Sequence, residues 1–130
     1  MNVALAIILD QGKVLIGKIR SEKINDYGGL PYVFPCECVR DMDVLEGTLI
    51  HEVERQTNLE IKIIRKIGER IHPTTQNYSY YFHCVKNSQQ TVIAGVGIDF
   101  ETFIWCDIND LQQYMPTLFN EVTSYLKENR

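Results

Sequence analysis

The sequence predicts a single mixed α/β domain, and three observations carry that prediction. A nearly continuous apolar run over residues 3–9 is followed by turn chemistry at Asp10-Gln11-Gly12-Lys13 and a second apolar run over 14–19. This reads as a β-hairpin whose first arm is buried on both faces. Leu45, Leu49 and Val53 recur every four residues within 44–57 and give a helix with one apolar stripe. Three further strand-like segments and two helical ones follow, without internal repeat, low-complexity tract or linker. The 130 residues suffice for one ordinary domain and are too few for two.

The elements follow in order. Gly12 is free to take the positive φ that a tight hairpin requires. Residues 21–35 hold Gly28-Gly29, Pro31 and Pro35 around Tyr27, Tyr32 and Phe34, and are expected to form a loop with aromatic anchors. Asp43 stands where an N-cap is needed, with Glu46 three residues on to complete a capping box, and Asn58 suits a left-handed terminator. Thr48, His51, Glu52, Arg55 and Gln56 fall on the polar face of this helix. Beyond it, 59–71 alternates Leu59, Ile61 and Ile63 with charged residues, and 78–85 is rich in aromatics. Residues 102–106 are the last strand. Residues 87–97 read as a loop that could hold a short strand at 91–94. Residues 107–114 and 116–128 read as helices, Pro116 serving in a first turn and Leu118, Val122, Tyr125 and Leu126 facing the core.

Composition narrows the function classes. Apolar residues make up 45% and charged residues 23%, as in an average soluble protein, which argues against wholesale disorder. The formal net charge of −4 argues against a general nucleic-acid binder, which would need a surplus of Lys and Arg. The apolar run at 3–9 stops at Asp10, far short of the ~20 residues that span a bilayer, and lacks the flanks of a signal peptide. Four cysteines are too few for a disulfide scaffold, so reduced thiols and a cytoplasmic location are expected, with no membrane partner.

Residues 34–61 read FPCECVRDMDVLEGTLIHEVERQTNLEI. This segment resembles, without a gap, the signature box of the Nudix hydrolase superfamily (MutT-like proteins), whose pattern is G-x5-E-x7-R-E-U-x-E-E-x-G-U with U apolar. Glu52, Val53 and Leu59 match the pattern outright, and Asp43 keeps a carboxylate where the family has Glu. The opening hairpin, the strand ending in Ile104-Trp105 and the closing helix also fall where the family places them. The resemblance implies an α/β/α sandwich with a mixed sheet, the box helix on one side and the C-terminal helix on the other. It also implies a hydrolase of nucleoside diphosphates linked to another moiety, acting with Mg²⁺ or Mn²⁺.

The box is degenerate. Glu37 replaces its first glycine, His51 its arginine, Arg55 and Gln56 its two adjacent metal-binding glutamates, and Asn58 its late glycine. Hard divalent cations want oxygen ligands, and carboxylates at i, i+3 and i+4 on one helix face provide them. In this chain those positions are Glu52, Arg55 and Gln56, whose charges cancel. At about 5 Å and an effective dielectric of about 20, each missing unit charge withdraws about 3 kcal/mol of attraction per unit of cation charge.

Glu52 is therefore the candidate catalytic base and itself a candidate metal ligand, with Asp43 and Glu101, and also Glu37 and Glu46, as replacement ligands. Asp43 and Glu46 have the competing role of helix caps. Arg55 can pair with Glu52 or hold a ligand phosphate or carboxylate without metal. Tyr32 and Tyr80 are the aromatic candidates for a substrate cleft, chosen from Tyr27, Tyr32, Phe34, Tyr80 and Phe82, although strand aromatics commonly serve the core. Cys36 and Cys38 lack partners at zinc-site spacing and read as structural thiols. Three functions follow: a divergent hydrolase with a rearranged metal site, an inactive domain binding a nucleotide-like small molecule, and an interaction scaffold such as a homodimer.

Overall fold

The computed structural model describes residues 1–87 and 89–129. β1 (Asn2–Asp10) and β2 (Lys13–Ile19) form the expected hairpin. Gln11 at φ 52° and Gly12 at φ 77° both take the left-handed conformation of a type I′ turn. The two arms pair only beside the turn, with Leu9 opposite Val14 and Asp10 opposite Lys13. Beyond that they part, and each recruits its own neighbours. The two-residue β3 (Tyr32–Val33) is followed by β4 (Cys36–Val39), a strand that contains Cys36, Glu37 and Cys38.

β1 pairs antiparallel with β4 and parallel with β6 (Tyr78–Lys86), and β6 pairs antiparallel with β5 (Ile61–Ile71). β2 takes β3 on one edge and β7 (Phe100–Asp107) on the other. A strand with partners on both edges satisfies all its backbone groups, and β1 meets that condition by changing partner halfway along.

Alternation divides the core into two layers. Ala4, Ala6 and Ile8 of β1 join Phe82 and Cys84 on one face, where α1 (Leu45–Thr57) lays down Leu45, Leu49 and Val53. Val3, Leu5 and Ile7 face the other way with Tyr81, and α2 (Leu111–Tyr114) and α3 (Asn120–Glu128) cover them through Leu111, Val122 and Leu126. The result is the expected α/β/α sandwich on a mixed sheet. No helix among the described residues is long and apolar enough to cross a membrane.

Local departures from the sequence reading have simple causes. α1 is entered through a 3-10 turn, Met42–Val44, capped by Asp41, whose Oδ1 accepts from the Asp43 amide at 3.0 Å. The capping box expected from Asp43 and Glu46 does not form, and Val44 leads into the helix without a side-chain cap. Asn58 does end α1 in the left-handed conformation, at φ 67°. The strand considered at 91–94 is absent. Instead the amides of Ile93 and Gly95 donate to the carbonyls of Thr57 and Gln56, which closes the end of α1. Pro116 lies in a turn, and α3 starts later, at Asn120. Part of the expected loop at 21–35 winds into a 3-10 helix, Ser21–Tyr27.

Two glycines test this packing in opposite directions. A Cβ on Gly17 would run into the rings of Phe100 and Phe103, whereas one on Gly47, on the exposed side of α1, would meet nothing within 4 Å. Urea denaturation should show Gly17→Ala destabilised by about 1–3 kcal/mol. Gly47→Ala should be stabilised by about 0.5–1 kcal/mol, the helix-entropy gain alone.

Candidate functional site

Where β1 and β2 part, a cavity of about 630 Å³ opens on the α3 side of the sheet. Its floor is set by register. Arg70, Ser79, Val3 and Cys38 stand side by side on β5, β6, β1 and β4, and Tyr81, Leu5 and Cys36 form the next row on the last three of these strands. Tyr32, Asp99 and Phe119 contribute to its walls, and the last turn of α1 supplies Arg55 and Gln56 at one end.

At the α1 end the guanidinium of Arg55 grips Glu52. Nε and Nη2 both donate to Glu52 Oε2 at 2.8 Å. The Glu52 side chain is 17% exposed, and the Arg55 side chain 49%. This bond holds the Glu52 carboxyl below the usual carboxylate range. Glu37, reaching from β4 toward α1, behaves oppositely: burial first, and then the neighbouring Glu52, push its carboxyl upward. Its Oε1 accepts from the Cys38 amide at 2.9 Å.

Gln56 departs from the sequence reading. It is 6% exposed rather than solvated on a polar face, because it turns under β4 and donates from Nε2 to the Cys36 carbonyl at 3.0 Å. Its Oε1 is buried and has no hydrogen-bond partner among the described residues. Nearby, Tyr27 donates to Asp99 Oδ2 at 2.7 Å, and burial raises that phenol's pKa well above its ordinary value. Burial also pushes the Cys36 thiol up to about 12, so it stays protonated at neutral pH.

Arg70 at the other end was not singled out from sequence. Nε donates to the Tyr81 hydroxyl at 3.2 Å and Nη2 to the Thr117 carbonyl at 2.6 Å, while the guanidinium lies 4.8 Å from the centre of the Phe119 ring. His72 beside it is buried, and its Nδ1 accepts from the amides of Thr74 and Thr75 at 3.1 and 3.2 Å. Burial and the charge of Arg70 both lower its pKa, so it is a neutral clamp for the 73–76 turn.

The sequence-derived candidates scatter. Tyr32 does line the cavity, edge-on to Tyr114 with ring centres 5.0 Å apart. Tyr80 does not: it points to the opposite face of the sheet, where it packs with the α1 layer and lies 5.1 Å from the ring of Tyr78. Asp43 is exposed in the turn before α1, and Glu101 is exposed on β7 with its carboxylate 3.9 Å from Lys18. Glu52, Asp43 and Glu101 are thus not assembled, and among the described residues no three His, Cys, Asp or Glu side chains are grouped to hold a metal ion.

The divalent cation implied by the box does not fit these donors. The carboxylate that would ligate it is occupied by a guanidinium at 2.8 Å, and the neighbouring position is an amide committed to a backbone carbonyl.

The Glu37–Glu52 contact gives a pH test. A carboxyl whose folded pKa lies above its unfolded one adds stability below the unfolded pKa and loses it as pH rises through the folded value. Ionised Glu37 therefore weakens the fold at neutral pH. Glu37→Gln should have a higher urea midpoint than the parent at about pH 7.5, and the difference should vanish toward pH 4, near the ordinary carboxylate value. A lower midpoint at neutral pH would contradict the assignment.

No protein-family model matches the sequence, and no curated protein matches it. Solved structures do. An ADP-ribose pyrophosphatase from Streptococcus suis superposes with a TM-score of 0.72 at 16% identity, over 99% of this chain and 91% of that one. A C. elegans Ap4A hydrolase gives 0.70 at 14%, over 97% and 93%. A MutT protein from Methanosarcina mazei gives 0.69 at 14%, over 98% and 90%. Agreement over nearly the whole of both chains shows that this chain has the fold of the Nudix hydrolases.

Proposed function

We propose that this protein binds a nucleotide-like small molecule in the cavity beside α1, without a divalent cation on that helix. The observation that carries the reading is the Arg55–Glu52 ion pair, which occupies the helix position where hydrolases of this fold would need a metal and so leaves the ligand-sized cavity beside it without a cation. A volume of about 630 Å³ is ordinary for a small-molecule site. Nucleotide-like ligands are supported by the structures it resembles, two of which are named for ADP-ribose and Ap4A as substrates.

Hydrolysis of the family kind is proposed to be absent or residual. Water attack on a diphosphate draws on the cation both to neutralise phosphate charge and to acidify the water. Glu52, tied to Arg55 and held below the normal carboxylate range, is a poor general base.

Calorimetric titration with ADP-ribose, ADP and AMP, each in EDTA and in millimolar Mg²⁺, tests this. At least one nucleotide should bind, with an affinity that differs by less than about threefold between the two buffers, a difference of under 1 kcal/mol. Mg²⁺ alone should leave the melting temperature unchanged, where a folded-state site filled at 100 times Kd would add about 2.7 kcal/mol. Nucleotide binding seen only with Mg²⁺, or turnover abolished by Glu52→Gln, would overturn the reading.

A further inference from the structure

Two groups in the cavity retain unused hydrogen-bonding capacity, and they stand at opposite ends of it. At the α1 end, Gln56 Oε1 is buried with no donor among the described residues. A buried carbonyl oxygen in that state is costly, and a turn of the Gln56 side chain, which lines the cavity, brings it to a ligand N–H or O–H. At the other end, Arg70 carries five N–H groups, of which two are given to Tyr81 and Thr117. Among the described residues Nη1 has no acceptor, and no carboxylate lies within 4 Å of this guanidinium. The Phe119 ring and the two hydrogen bonds fix its orientation, so little rotamer freedom remains to be lost on binding.

Charge separates the two ends further. Around Arg55 lie the carboxylates of Glu52, Glu37 and Asp99, so an anion brought there meets three acidic side chains against one guanidinium that is already paired. Among the described residues the positive charge of Arg70 has no carboxylate partner. Across the floor, Arg70 and Cys38 are three strand spacings apart, about 14 Å. Gln56 is anchored one step along β4, on the Cys36 carbonyl. An extended nucleoside monophosphate is of comparable length.

We propose that the ligand lies with an N–H donor edge, the amide or amino group of a heterocycle, on Gln56 Oε1 and with an anionic group, phosphate or carboxylate, on Arg70. Its charged end therefore points away from α1, where the box of the related hydrolases would place a metal-bound phosphate. The full orientation rests on the nucleotide reading above, while the anion site at Arg70 can be tested without it.

The test begins with the unaltered protein. Inorganic phosphate is titrated into ¹⁵N-labelled chain while the arginine Nε–Hε resonances are followed, with acetate as the parallel carboxylate probe. The Arg70 resonance should shift saturably and that of Arg55 should not, and the anion giving the tighter response identifies the class. Adenosine and AMP are then titrated into the parent and into Arg70→Met, Arg55→Met and Gln56→Leu. Arg70→Met should weaken AMP roughly tenfold or more and adenosine less than about twofold, Arg55→Met should change neither by more than about twofold, and Gln56→Leu should weaken both. A phosphate response at Arg55 and not at Arg70 overturns the orientation, as does AMP binding lost in Arg55→Met and kept in Arg70→Met. A saturable phosphate response at Arg70 with no binding of adenosine or AMP supports the anion site and overturns the nucleotide reading instead.

Discussion

The partner change of β1 governs both the cavity and the layers around it. The strand is buried on both faces and must keep every backbone group paired, yet it holds β2 for only two residue pairs beyond the turn. β4 takes over that edge from Leu5 to Asn2, and the chain between β2 and β4 is thrown outward as a 3-10 helix and a short edge strand. The space vacated by β2 becomes the cavity. Because β4 also leads directly into α1, the same switch brings the helix's last turn to the rim, and the Cys36 carbonyl receives the Gln56 amide.

Electrostatics then decides what the rim can do. A helix face bearing three carboxylates is unstable without a cation, and like charges at helical spacing repel. In this chain Glu52 and Arg55 satisfy each other, so the face is stable with no ion bound. In the proposed reading the same pairing withholds what metal-assisted hydrolysis would use, a concentrated negative charge and a carboxylate free to accept a proton. Fold and site chemistry are separable here because the core is built from the other side of the helix through Leu45, Leu49 and Val53.

Features set by local chemistry were legible in the sequence. The Gln11-Gly12 turn, the stripe of α1 and its Asn58 terminator each depend on a few adjacent residues, and each formed as read. Features set by distant partners were not. β4 has no strand signal of its own, because its stability comes from the open edge of β1, more than thirty residues away. Alternation does not tell whether Tyr80 faces the cavity or the α1 layer, because β6 has buried positions on both faces. Gln56 borders the polar face by helical spacing, and only the arrival of β4 above it makes it buried. Arg70 sits beyond two irregularities in the β5–β6 pairing, between Ile63 and Arg65 and between Lys66 and Gly68, so its place opposite Ser79 could not be counted out from the strand's start.

The central claim is that the last turns of α1 hold an arginine–glutamate pair in place of a metal site. Paramagnetic broadening by Mn²⁺ reads this residue by residue. With substoichiometric Mn²⁺ added to ¹⁵N-labelled protein, the account predicts that the amide signals of residues 51–56 and of Glu37 broaden no more than those of exposed acidic residues elsewhere, such as Glu101. Selective loss of the Glu52, Arg55 and Glu37 signals, reversed by EDTA, would contradict it.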